Sequence, residues 1–319
     1  MCIRDSPATS FWKKLSSLWR VWGITSQLEK EGIELFHGLS NELPLNIHKS
    51  RIKSIVTIHD LIFLRYPQYY QSIDRKIYTY KFRKACENAD KIIAISECTK
   101  RDIIRYFNIP DDKIEVVYQG CDVSFTHPVT EEKKEEVRKK YQLPDHYILN
   151  VGSIEERKNI LAAVQALPML PQHIHIVIVG RRTGYTEKVE QFIKDNGLGE
   201  RVHIISNVPF NDLPAFYQSA EIFVYPSRFE GFGIPIIEAL YSGIPVVAAT
   251  GSCLEEAGGP DSIYVNPDDI TGLADAFKQI YSNSDKRKNM VEKGREFAKR
   301  FSEKQQSEEI INIYKKLIR

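Results

Sequence analysis

Two glutamates, Glu230 and Glu238, flank seven residues in SRFEGFGIPIIEALYSG, the stretch from Ser227 to Gly243. Gly231, Gly233 and Pro235 forbid one continuous helix between them, and Pro235 suits a first helical turn, where the N–H it lacks is not needed. Glu230 is therefore expected just before a helix and Glu238 within its first turns. EIFVYPS (221 to 227) reads as a strand, so the turn falls at a strand's carboxyl end, where open α/β sheets bind ligands. The backbone N–H groups of Phe232, Gly233 and Ile234, with the helix dipole, attract an anion such as a phosphate. A carboxylate in that helix can accept both hydrogen bonds of a vicinal diol such as a ribose, and one just before it can hold hydroxyls on a neighbouring group. The plainer alternative is a glycine turn whose two acids only complement the dipole.

A second cluster lies in NVGSIEERKNI (150 to 160). A strand ends at Gly152-Ser153, and Arg157-Lys158 arrives immediately before a new helix. Arg grips a phosphate through two parallel hydrogen bonds and Lys adds a point charge. A surface Arg-Lys pair is the bland reading; against it, both clusters face the same edge of one expected sheet. The sequence has no Asp-x-Asp pair to cage a divalent ion on a pyrophosphate, so no metal is expected, and Arg157, Lys158 and the helix N-terminus would neutralise that charge. In the first half His37 ends one strand and His59-Asp60 the next. Either histidine alone is more often structural, and Asp60 alone reads as a turn cap. At matching strand ends they point to a ligand edge.

The elements that must position these residues are short β-branched runs alternating with longer amphipathic stretches, the pattern of βα units around parallel sheets. Strands are expected at 33–38, 53–60, 91–96 and 113–120, then at 147–153, 175–180, 201–206, 221–227, 244–250 and 262–267. The segment THPVTEEKKEEVRKKYQLPD (126 to 145) is charged and bracketed by prolines, and Glu135/Lys139 and Glu136/Lys140 stand at i,i+4 spacing. It is expected to be a solvated helix at the domain boundary. The domains are then 1–142, 143–301 and a C-terminal helix, 302–319, opened by Ser302 and Gln305 at capping-box spacing and packing back on the first domain.

The chain has 319 residues, 44 Lys and Arg against 42 Asp and Glu, and a net charge of +2, too even to argue for nucleic acid. Its five cysteines are scattered, with no CxxC pair, which suggests neither a zinc site nor a disulfide framework and fits a reducing cytosol. No apolar run is long enough for a membrane span. MCIRDS (1 to 6) has no helical or strand logic and reads as a non-native join.

Together FHG (36 to 38), TIHDLIF (57 to 63), ADKIIAISE (89 to 97), VVYQGCD (116 to 122), NVGSIEERKN (150 to 159) and PSRFEGFGIPIIEALYSGIPVVA (226 to 248) resemble the retaining glycosyltransferases of family four. The resemblance implies the GT-B fold: two Rossmann-like, doubly wound parallel-sheet domains facing a cleft. It implies a nucleotide-diphosphate sugar in the second domain, an acceptor in the first, and no further cofactor. Mapped by motif, Glu238 holds the ribose and Arg157 with Lys158 the diphosphate, beside Gly152. Glu230 and the Phe232, Gly233 and Ile234 backbone hold the donor sugar, His59 reaches it from the first domain, and His37 and Asp60 lie toward the acceptor. Glu230 and His59 are the catalytic candidates, with Glu230 given a positioning and electrostatic role. The short TIHDLIF and VVYQGCD forms resemble bacterial mannosyl- or rhamnosyl-type transferases of surface polysaccharide assembly, so GDP-mannose is the donor expected and a glycan or lipid-linked molecule the acceptor. The place implied is the cytoplasm or, peripherally, the inner face of the membrane. Family members open with a strand, a glycine loop and a helix; TSFWKKLSSLWRVWGI (9 to 24) stands here instead and is expected to be an amphipathic helix on the first domain's sheet, leaving that domain incomplete at its N-terminus. The alternatives are a non-catalytic nucleotide-sugar binding module and a GT-B sugar-nucleotide epimerase.

Overall fold

The computed structural model describes residues 18–318. The chain divides into two compact units, Met1–Tyr118 with Gln306–Arg319, and Gln119–Gln305. The expectation that residues 1–6 are a non-native join lies outside the described residues, as do residues 9–17 of the amphipathic segment.

In the first unit β1 (Leu35–Gly38), β2 (Lys53–Ile58), β3 (Lys91–Ala94) and β4 (Ile114–Val116) pair in parallel, in the order β1-β2-β3-β4. Side chains alternate across a strand. Val56, Ile58, Ile92 and Ala94 face one core, which takes in Trp19 and, from helix Ile24–Lys30, Ile24 and Leu28. Trp19 is 1% exposed, whereas Leu18 and Trp22 are 52% and 51% exposed. Ile55 and Ile93 face the other way and are covered by Ile310, Ile313 and Leu317 of the C-terminal helix Glu303–Ile318. The Gln305 N–H donates to Ser302 Oγ at 3.2 Å, the helix-opening contact that the spacing predicts.

The second unit holds β5 (Tyr147–Val151), β6 (His175–Val179), β7 (Val202–Ile205), β8 (Ile222–Tyr225), β9 (Val246–Ala249) and β10 (Ile263–Val265), all parallel, in the order β10-β9-β8-β5-β6-β7. Every residue of β8 and β9 is buried, as expected of parallel strands covered on both faces. Strand order reverses between β5 and β8. Their ladder stops at Leu149↔Phe223 although the strands run on to Val151 and Tyr225. There the Asn150 side chain takes over, donating to the Val224 carbonyl at 2.8 Å.

The charged segment is not a linker. Helix Glu131–Tyr141 belongs to the second unit, and the units divide at Tyr118/Gln119 rather than near residue 142. Val137 is fully buried. Lys133 and Lys140 reach Asp212 at 2.9 and 2.8 Å, and the Tyr141 hydroxyl donates to the same carboxylate at 2.8 Å. The Glu135–Lys139 pair forms at 3.2 Å, but Lys140 turns to Asp212 instead of Glu136. Among the described residues no helix is long and apolar enough to cross a membrane.

Candidate functional site

The loops after β5 and β8 meet at the point where the sheet order reverses, the usual ligand crevice of such sheets. Three contacts tie them. The Arg228 N–H donates to the Arg157 carbonyl at 2.9 Å. Asn159, at φ +55°, donates from its side-chain amide to the Pro226 carbonyl at 3.2 Å and the Pro267 carbonyl at 2.8 Å, linking in the loop after β10. The Arg157 guanidinium donates to the Phe229 carbonyl.

Arg157, Lys158 and Glu230, read from two separate motifs, form one cluster. Arg157 Nη1 lies 2.7 Å from Glu230 Oε2, and Lys158 Nζ 3.5 Å from Oε1. The three side chains are 14%, 18% and 12% exposed. Tyr225 and Ser227, which the sequence reading passed over, donate their hydroxyls to Glu230 Oε1 at 3.1 and 2.9 Å. Lys158 in turn donates to the Tyr225 hydroxyl at 3.2 Å. Burial is the largest single influence on Arg157 and lowers its basicity, but the Glu230 charge and hydrogen bond, with Tyr225 and Glu155 nearby, together outweigh it and the net shift is upward. Burial, with the Glu230 charge, pushes the Tyr225 phenol up, so it stays a donor. Gly152 sits beside them at φ +148°, a backbone conformation that other residues rarely adopt, and a Cβ there would stand 3.1 Å from Lys158 Nζ.

The EGFG turn that follows is held from beneath. The Cys253 thiol, wholly buried, donates to the carbonyls of Glu230 and Phe232 at 3.0 and 3.1 Å. Phe232 packs edge-on against Phe301, with centroids 5.6 Å apart. Gly233 caps helix Ile234–Ser242, and its carbonyl accepts from the Ile236 N–H at 2.9 Å. Pro235 lies in the first turn, where its missing N–H leaves no hydrogen bond unmade. The N-terminus of this helix points its partial positive charge to the same strand ends.

Glu238 lies in that helix, apart from the cation cluster. Tyr217, buried in helix Leu213–Ser219, donates to Glu238 Oε2 at 2.7 Å. Burial raises the Glu238 carboxyl above its usual range, the Tyr217 hydrogen bond opposes that, and the Asp122 charge adds to it.

The first-unit candidates are placed separately. His59 follows β2; its N–H donates to Asn41 Oδ1 at 2.7 Å and its Nε2 lies 2.8 Å from the Leu39 carbonyl. Asp60 accepts from the Ile62 N–H at 3.0 Å, the turn-capping contact that its plain reading anticipates. His37 is engaged within the first unit. Its Nδ1 meets the Tyr314 hydroxyl at 2.6 Å and its Nε2 the Thr57 hydroxyl at 2.8 Å, and burial lowers its pKa to about 4. The histidine joins the sheet to the C-terminal helix, a contact between distant parts of the chain that strand position does not reveal. Among the described residues no group of three or more His, Cys, Asp or Glu side chains is placed to hold a metal ion.

A family model described as glycosyl transferases group 1 matches residues 131–297, just over half of the chain. The chain belongs to that family. A second model, glycosyltransferase family 4, matches residues 3–125. O-antigen chain mannosyltransferase B of Escherichia coli is 31% identical over 289 residues, which cover 89% of this glycosyltransferase and 74% of that protein. O-antigen chain mannosyltransferase RfbU of Salmonella typhimurium is 29% identical over 225 residues, 70% of this chain and 60% of its own length. Among solved structures, sucrose-phosphate synthase of Thermosynechococcus elongatus matches with a TM-score of 0.79 at 22% identity, over 98% of this chain and 80% of that one. HepE of Anabaena, solved in complex with UDP and glucose, matches with a TM-score of 0.77 at 18% identity, over 94% and 83%. The structural likeness shows the fold, two parallel-sheet α/β domains of the GT-B class.

Proposed function

We propose that this glycosyltransferase moves mannose from GDP-mannose, with retention of anomeric configuration, to a glycan or lipid-linked acceptor in surface polysaccharide assembly. The observation that carries the reading is the meeting of Arg157, Lys158 and Glu230 across the reversal between β5 and β8, with the helix of Glu238 leading away from it. The mannosyltransferase names of the relatives support the sugar.

In this reading Arg157 and Lys158 bind the diphosphate, and Glu238 accepts the two ribose hydroxyls. Glu230 and the backbone from Phe232 to Ile234 orient the mannose, and His59 is assigned a catalytic role. Asp60 and His37 are assigned to the acceptor side. The acceptor hydroxyl attacks the anomeric carbon on the face from which the diphosphate departs, and its proton passes to the leaving phosphate oxygen. The residues then act chiefly by stabilising the charge that grows on the leaving group. No metal or further cofactor is assigned. The reaction is placed in the cytoplasm, with a lipid-linked acceptor presented at the inner face of the membrane.

The test is product analysis after incubation with GDP-mannose and a lipid-linked glycan, the new linkage being read by NMR. An α-mannoside supports the reading. A β-mannoside contradicts retention, and no transfer from any nucleotide sugar contradicts the donor assignment.

A further inference from the structure

Arg157 and Lys158 are the cations assigned to the donor diphosphate, and both are paired with a carboxylate of the chain itself. Glu230 Oε2 lies 2.7 Å from Arg157 Nη1, and Oε1 lies 3.5 Å from Lys158 Nζ. Two uncharged donors fix the carboxylate there, the Tyr225 and Ser227 hydroxyls at 3.1 and 2.9 Å. A guanidinium and an ammonium this deeply placed need a counter-charge, because a desolvated cation without one is strongly destabilising. Carboxylate and phosphate oxygens make the same charge-assisted bonds to these groups, so they are alternative partners for one pair of cations.

We propose that Glu230 is the resident anion of the diphosphate pocket, parked by Tyr225 and Ser227, and that donor binding exchanges it: the diphosphate takes the cations and frees the carboxylate for the sugar hydroxyls. This rests on the donor reading above and deepens it. The exchange couples two events at one residue. An empty site keeps its cations neutralised, and the sugar-orienting carboxylate is released only when a diphosphate has arrived. Tyr225 and Ser227 are then positioning residues, acting on substrate through Glu230. The hydroxyl of Tyr225 also accepts from Lys158 at 3.2 Å, so it touches both sides of the exchange.

The consequence is unusual for a binding-site residue, because removing the Glu230 charge strengthens diphosphate binding while it slows transfer. Calorimetric titration of the full chain with GDP, and with inorganic pyrophosphate as a probe of the cation pocket alone, measures this. For Glu230→Gln both ligands are expected to bind roughly three- to tenfold tighter than to the wild type, while kcat falls. Tyr225→Phe, which loosens the parked carboxylate, moves affinity and rate in the same two directions by less. A merely structural role for Tyr225 lowers both instead. Unchanged or weaker GDP binding by Glu230→Gln overturns the exchange, and if that variant does not fold, Ser227→Ala is read the same way. A wild type that does not bind GDP overturns the donor reading and this inference with it; wild-type binding without tightening in the variants overturns the exchange alone.

Discussion

The Tyr217 hydroxyl donates to Glu238 Oε2 at 2.7 Å from a wholly buried position. Glu238 must be ionised to accept from both hydroxyls of a ribose, and burial already raises its pKa, with the Tyr217 hydrogen bond as the opposing influence. Asp122 also disfavours the charged form, and Cys121, whose own thiol burial pushes up, stands nearby. Tyr217→Phe therefore moves the Glu238 pKa further up, and nucleotide binding fails at a higher pH as the solution is acidified. Titrations of GDP between pH 5 and 8 read the shift of that acid limb. An identical pH profile in wild type and variant separates Tyr217 from the site.

Arg157→Ala removes one charge-assisted partner of the diphosphate, a contribution of about 2 kcal/mol or roughly thirtyfold in affinity. Calorimetry with GDP measures it, and unchanged binding takes Arg157 out of the donor pocket.

Gly233→Ala tests the support beneath the EGFG turn. A Cβ at this position would lie 2.9 Å from the Ala257 Cβ, so helix Leu254–Gly258, which begins just after Cys253, must shift. Strain of this kind costs about 1–3 kcal/mol. A midpoint lowered by several degrees, together with weakened donor binding, is expected in thermal unfolding. Wild-type stability and affinity would show that the turn does not depend on this close packing.

The first unit carries an acid-sensitive joint. The His37 pKa is lowered by burial to about 4, against 6.5 for the free side chain. The unfolded chain therefore binds the proton more readily, and stability present above pH 6.5 is lost as pH falls toward 4. The loss amounts to about 2 kcal/mol by pH 5. Burial also lowers the pKa of His175 and His203 in the second unit, which works in the same direction. Urea unfolding at pH 7 and pH 5 tests this, with His37→Gln expected to flatten the dependence. Parallel wild-type and variant curves would contradict the assignment to His37.

The ten strands among the described residues are legible as short β-branched or apolar runs between breakers, most plainly β8 and β9, whose every residue is buried as parallel strands covered on both faces require. The order of those strands is not written in local pattern. That Glu230 pairs with Arg157 depends on β8 lying beside β5, which comes far earlier in the chain, so two motifs each open to a bland reading are brought together only in three dimensions. The same limit explains the misplaced boundary: nothing in EEKKEEVRKK shows that Asp212 waits for Lys133 and Lys140. Tyr225 and Ser227 read as ordinary strand-end residues, and their hydroxyls acquire meaning only from where Glu230 turns back. The contact of His37 with Tyr314, far along the chain, is likewise absent from its strand position.

Glu238→Ala and Glu230→Ala should separate two functions, since Glu238→Ala weakens nucleotide binding whereas Glu230→Ala chiefly slows transfer. Steady-state kinetics with GDP-mannose and a lipid-linked acceptor read the two effects as KM and kcat. Equal and negligible changes in both variants would contradict the roles given to the pair.

The most direct test of the account is thermal unfolding of the wild type with a panel of nucleotide sugars, repeated with Arg157→Ala and Glu238→Ala. A ligand at a hundred times its Kd adds about 2.7 kcal/mol, which for a unit of this size raises the midpoint by roughly 5–10 °C. The account predicts such a rise with one nucleotide-diphosphate sugar, GDP-mannose first, and its loss in both variants. No rise with any member of the panel, or a rise that survives both substitutions, would contradict it.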